Sequence, residues 1–172
     1  MKKIFAFVCV ALLGTVAGFA QASKGDIAAG VNLIYGNEIE NMGLGARFQY
    51  TIIDHVRAEV GFNYFIKKDF HSMWDANLNA HYLINVYQDK LYLYPIAGLC
   101  FASVTFDEAG AVKKWGDEVR DKYKDTSRFG LNLGAGAQYS FTDHFAVTLE
   151  YRHTIMKDID QGVFGIGANY KF

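Results

Sequence analysis

From about residue 26 to the C-terminus, apolar and polar residues alternate with a period of two. The alternation falls into eight segments near residues 26–36, 42–53, 55–66, 74–86, 91–106, 128–141, 144–156 and 162–172. A period of two marks a strand lying between two unlike environments. In the second segment Leu44, Ala46, Phe48, Tyr50 and Ile52 oppose Gly43, Gly45, Arg47, Gln49 and Thr51. In the fourth, Trp74, Ala76, Leu78, Ala80 and Tyr82 oppose Asp75, Asn77, Asn79 and His81. The last segment places Phe164, Ile166, Ala168, Tyr170 and Phe172 on one face, and the alternation runs to the terminal residue. A strand at a chain end needs a partner, and a closed barrel supplies one. The fifth segment is less regular: Tyr92, Tyr94 and Ile96 are as large as the residues facing away from them. Pro95 within it has no N–H for a ladder, so a bulge or a strand start just past Pro95 is expected. The first segment is rich in Gly and Ala, which leaves its facing open.

The connections alternate in length. Asp54-His55, Tyr87–Lys90 and Thr142-Asp143 are short; Asn37–Asn41, Lys67–Met73, Asp107–Ser127 and Lys157–Gln161 are mostly longer. Bacterial outer-membrane barrels have short periplasmic turns and longer external loops. With both termini periplasmic, the parity agrees throughout. Each segment also meets the roughly 9–11 residues that a tilted transmembrane strand requires. The polar face is mostly Gly, Asn, Gln and Thr, with few lysines. The apolar face carries Tyr, Phe and Trp near segment ends, where amphipathic rings favour a membrane interface. Both features favour a membrane barrel over a soluble, lipocalin-like one with its apolar face inward.

Composition sharpens this. Hydrophobic residues make up 51% and aromatics 16% of 172 residues, with 17 Gly and one Pro. Lys2 and Lys3, the apolar run Ile4–Ala17 and the small-x-small site Ala20-Gln21-Ala22 read as a secretory signal peptide. The expected organisation is therefore a signal peptide over 1–22 and a barrel domain over 23–172. Cleavage after Ala22 removes two lysines and no acids, moving the formal net charge from −1 to −3. No basic field for nucleic acid exists. Cys100 becomes the sole cysteine, so no internal disulfide is expected. Nothing in the mature chain approaches the length of an apolar membrane helix.

The segment Leu149-Glu-Tyr-Arg-His153, with the Gly-rich final strand ending Asn169-Tyr-Lys-Phe172, resembles the end of the OmpA/OmpX/opacity-porin-like barrel family. That resemblance implies an all-β, eight-stranded antiparallel up-and-down transmembrane barrel in the outer membrane of a Gram-negative bacterium. It also implies that Phe164, Ile166, Ala168, Tyr170 and Phe172 form a C-terminal signal read by the outer-membrane assembly machinery. Members include anchors and adhesins, so no single activity follows. The peptidoglycan-binding domain of some relatives is not expected here.

On this reading Arg47, Arg57, Glu59, Glu150 and Arg152 point into the lumen, with Asp75 and Lys171 as further candidates. An eight-stranded barrel is only wide enough for side chains to fill. Buried charges must then pair, and a lumen charge network that seals the barrel is expected; the alternative is a charged constriction of a narrow pore. A lipid A-modifying enzyme is the remaining alternative. His153 lies on the opposite face from Glu150 and Arg152, however, and His153-Thr-Ile155 does not match the His-x-Ser of the deacylases. No catalytic residue, metal site or cofactor is expected. Asp107–Ser127 holds eleven charged residues among 21. Trp115, Val119 and Tyr123 in it, with Val112, recur at helical spacing and are candidates for contact with a host or surface protein or with lipopolysaccharide. The expected molecule is a monomeric scaffold that sits among outer-membrane lipids and presents external loops.

Overall fold

The computed structural model describes residues 23–68, 71–106, 126–156 and 160–172. They form β1 (Ile27–Gly36), β2 (Asn41–Ile53), β3 (Val56–Lys68), β4 (His71–Tyr82), β5 (Ile84–Tyr87), β6 (Leu91–Phe106), β7 (Thr126–Ser140), β8 (Phe145–Met156) and β9 (Gln161–Lys171). β4 and β5 are two parts of one barrel strand. His81 pairs with Ile96, and three residues further on Ile84 pairs with Leu93, so the register is kept across Leu83. The sheet thus has eight antiparallel barrel strands, each paired to its sequence neighbours. β1 against β9 closes the cylinder, with Val31 opposite Ala168. The C-terminal strand has the first strand as its partner.

Pro95 behaves differently from the expectation. β6 runs unbroken from Leu91 and keeps one register against β7, with Pro95 opposite Ala135. The irregularity appears in the neighbouring strand. Pairing with β6 lapses at Tyr82 and Leu83, the positions facing Pro95 and Tyr94. A proline removes one ladder donor without displacing its own strand. The Leu83 N–H is bonded on its other flank, to the His55 carbonyl at 2.6 Å.

The short turns and both described chain ends lie at one end of the barrel. The Phe172 N–H donates to the Ile27 carbonyl at 3.0 Å and the Gly25 N–H to that of Thr51 at 2.8 Å. The turns are tight enough to force left-handed backbone on His55 (φ 73°), Gln88 (φ 42°) and Asp89 (φ 56°).

Facing follows the alternation. Leu44, Val60, Leu78, Leu131, Leu149 and Ile166 are each more than half exposed, while Gln49, Asn63, Asn77, Asn132, Thr148 and Asn169 on the same strands are buried. This is the reverse of a soluble protein: the apolar band is outside and the polar core is the lumen. Aromatics flank the band. Tyr50, Tyr139, Phe145 and Tyr170 lie toward the turn end; Trp74, Phe101 and Phe129, with ring centroids 5.6 and 4.9 Å apart along the row, lie toward the loop end. In β1, Val31, Leu33 and Tyr35 face out and Asn32 and Ile34 face in.

Candidate functional site

Among the described residues the buried polar side chains gather in the lumen, which is layered along the barrel axis. Nearest the turn end is a cavity of about 360 Å³, lined by turn residues 88–90 and 142–145 and reaching Gln49, Arg57, Gln138 and Asn169.

Above it lies the charged layer. Arg47 and Glu59 are 6% and 4% exposed. The Arg47 guanidinium donates to Glu150 Oε1 at 2.6 Å and lies 3.5 Å from Glu59 Oε2. Glu59 is also held by its two lateral strand neighbours: Gln49 Nε2 donates to it at 2.7 Å and Asn79 Nδ2 at 3.2 Å. Tyr94 on β6 donates its hydroxyl to Glu150 Oε1 at 2.6 Å. That reach depends on Gly136, which stands between them, paired with Tyr94 on one side and Glu150 on the other. A Cβ there would come within 2.5 Å of the tyrosine ring. Gly167 plays the same part for Arg47, whose Nη2 lies 2.6 Å from where a Cβ would be.

Arg57 is bonded differently. Its Nη1 donates to Gln138 Oε1 at 2.7 Å; Nε and Nη2 reach His81 Nδ1 at 3.3 and 3.2 Å. Its guanidinium also lies over the Tyr94 ring, 5.0 Å from the centroid. Arginine has no acceptor, so His81 Nδ1 must accept, which puts the ring proton on Nε2 of a neutral His81.

Further toward the loop end an asparagine-rich layer spans the lumen. Asn132 Nδ2 donates to Asn77 and Asn79 at 2.8 and 2.9 Å, and Thr154 donates to Asn132 Oδ1 at 2.8 Å. Asn63 donates to Asp75 at 2.7 Å and Asn32 to Asn63 at 3.2 Å; Asn77 also donates to Asp75. Arg152 lies 3.8 Å from Asp75. Above this, Ile34, Phe65, Met73, Cys100, Ala102, Met156 and Val163 form an apolar layer across the lumen. Cys100 is a packed member of that layer, free and buried.

The structure therefore places Arg47, Arg57, Glu59, Glu150 and Arg152 in the lumen. It joins Arg47, Glu59 and Glu150 directly, gives Arg152 to Asp75, and leaves Arg57 on neutral partners. Lys171 sits at the mouth, 3.4 Å from Asp26. His153 is on the outward face, opposite Leu133 and Gly162. Phe164, Ile166, Tyr170 and Phe172 are exposed on the outer face, and Ala168 shares it. Trp115, Val119 and Tyr123 lie outside the described residues. Among the described residues no group of His, Cys, Asp and Glu has the arrangement of a metal site. Sequence reasoning gave the facing of Gln49, Asn79, His81 and Gln138 but not their pairing. It missed Tyr94, whose signal was its placement between Tyr92 and Ile96 on the face opposite Pro95.

Residues 6–172 match the family described as outer membrane protein beta-barrel domain. Among curated proteins, Outer membrane protein X of Escherichia coli (strain K12) is 26% identical over 172 residues, covering 95% of this chain and 88% of that protein. Solved outer-membrane barrels share the fold, two of which serve as examples. One is the N-terminal β-barrel domain of Pseudomonas aeruginosa OprF, with a TM-score of 0.70 and 17% identity over 87% of this chain and 98% of that one. The other is Ail, the attachment invasion locus protein of Yersinia pestis, with a TM-score of 0.61 and 16% identity over 87% of this chain and 100% of that one.

Proposed function

The chain belongs to the outer membrane protein beta-barrel domain family, and from that premise we propose that it is a monomeric outer-membrane scaffold that presents external loops, its lumen sealed from within. It is an eight-stranded barrel of the outer membrane of a Gram-negative bacterium. The observation that carries the proposal is the filling of the lumen. A charged layer, an asparagine layer and an apolar layer are stacked across it in series. Water and ions crossing would have to break a network whose members hold each other and then wet an apolar constriction, which resists hydration. With the interior occupied by structure, the parts left free to vary are the external loops.

Ail, by its description an attachment invasion locus protein, has been solved with a heparin analogue, sucrose octasulfate. A surface-contact role for this chain is consistent with such a relative. Residues 107–125, with Trp115, Val119 and Tyr123, are the proposed contact segment for a host or surface protein or lipopolysaccharide; Thr126 and Ser127, expected in the loop, belong to β7. We assign no catalytic role to His153, which lies on the opposite face of β8 from Glu150 and Arg152. Export is proposed to use residues 1–22 as a cleaved signal peptide.

The cavity at the turn end and the charges above it favour a second reading, a narrow pore. Planar-bilayer recording separates the two. A sealed barrel inserts with no unitary conductance; reproducible unitary currents that change on Arg57→Gln or Arg152→Gln would replace the scaffold reading with the channel. For the loops, replacing 107–125 with a short Gly-Ser linker should leave the heat-dependent gel shift of the folded barrel intact and abolish adhesion of expressing cells to their target surface. Undiminished adhesion would remove this loop from the proposal.

A further inference from the structure

We infer that the cavity at the turn end is a binding site for a small periplasmic carboxylate, with Arg57 as its anchor and Asn169 as its second contact. Among the described residues the lumen layer balances Arg47, Arg57 and Arg152 against Glu59, Glu150 and Asp75, but the pairing is uneven. Arg47 has two carboxylates within 4 Å and Arg152 has Asp75, whereas Arg57 has none among the described residues. It is 5% exposed and lines the floor of the cavity. A buried cation without a directly paired anion is costly, so an anion arriving in this cavity meets a group that gains by pairing.

The geometry of Arg57 favours a carboxylate. A guanidinium has five N–H donors. His81 and Gln138 take one each from Nε, Nη1 and Nη2. These contacts leave one N–H on each terminal nitrogen untaken, donors that a carboxylate can use. His81, Gln138 and the Tyr94 ring fix the plane of the guanidinium, so little order is lost on binding.

Asn169 is the independent observation. It lines the same cavity, is 4% exposed, and its Oδ1 is buried with no donor. Its Nδ2 is engaged with Gln49 Oε1 at 3.4 Å. An orphaned buried acceptor is satisfied by a ligand that brings a donor of its own. The ligand is therefore a carboxylate with a hydroxyl or N–H group. The mouth selects against higher charge. With Lys171 held by Asp26, the remaining acids Asp89 and Asp143 face one lysine, Lys90. A monoanion enters such a mouth more readily than a dianion. The turns at this end place access on the periplasmic side. The site is independent of the scaffold reading, since a carboxylate can bind whether or not the lumen conducts.

The test is a titration of the folded barrel in detergent micelles, followed through the ¹⁵N–¹H signal of Arg57 Nε. The probes are acetate, hydroxycarboxylates of two to four carbons, and inorganic phosphate. Acetate should shift the signal saturably. At least one hydroxycarboxylate should bind more tightly than the alkanoate of equal length, and phosphate more weakly than either. Arg57→Lys, which keeps charge but loses the fork, should weaken binding by about tenfold, and Asn169→Ala should erase the advantage of the hydroxyl. Folded protein is selected by its gel shift before each titration. The absence of a saturable shift with every carboxylate, tighter binding of phosphate than of acetate, or unchanged affinity in Arg57→Lys would each overturn the proposal.

Discussion

Glu150 shows how much one side chain carries in this interior. It accepts from the Arg47 guanidinium and from the Tyr94 hydroxyl, each at 2.6 Å. Its carboxylate thus ties β8 to β2 and β6 across the lumen. Removing one member of a buried pair leaves the other charge uncompensated, a loss on the order of 3 kcal/mol. Glu150→Ala should lower stability by about that amount, read from urea unfolding in lipid vesicles. A change below about 1 kcal/mol would mean that water or Glu59, 3.5 Å from Arg47, takes over. Gly136 belongs to the same unit. Alanine there would press on the Tyr94 ring and move the hydroxyl off Glu150, although no charge is altered.

For a strand, the rule is the face. Leu78 on β4 is 53% exposed, between Val60 of β3 and Leu99 of β6, while Asn77 and Asn79 beside it in sequence are buried in the lumen. One residue separates lipid from the polar network. An arginine on the lipid face near the midplane costs roughly 2–4 kcal/mol. Leu78→Arg should therefore lower unfolding free energy in vesicles by about that much. The same substitution in a soluble protein at a half-exposed site would be nearly neutral, so a change within about 0.5 kcal/mol would contradict the membrane assignment of this face.

For the whole molecule, closure is the decisive event, and the last strand performs it. Phe172 is 72% exposed and packs on Tyr170 with ring centroids 5.4 Å apart. Its side chain adds little to the lumen, so its proposed work is in assembly. Phe172→Ala should reduce the amount of folded barrel reaching the outer membrane of cells several-fold, while the purified variant refolds in detergent with the gel shift of the parent. Equal loss in both settings would make the residue a stability element, and loss in neither would dismiss the assembly signal.

Strand number, antiparallel order, loop parity and the lipid-facing side were legible in the chain, because each follows from local alternation repeated eight times. Inward placement of Arg47, Arg57, Glu59, Glu150 and Arg152 was legible for the same reason. Their partners were not. Pairing across a lumen depends on how eight strands are staggered around a cylinder, a property of no single strand. Tyr94 reaches Glu150 only because Gly136 stands between them, 42 residues from one and 14 from the other. The effect of Pro95 falls on Leu83, in another strand, because the missing donor belongs to the ladder between them. The sequence alone thus determined a closed outer-membrane barrel and its charged interior. Only the tertiary structure decided that, among the described residues, Arg57 is the lumen arginine with no carboxylate paired to it, because stagger and closure set which charges meet.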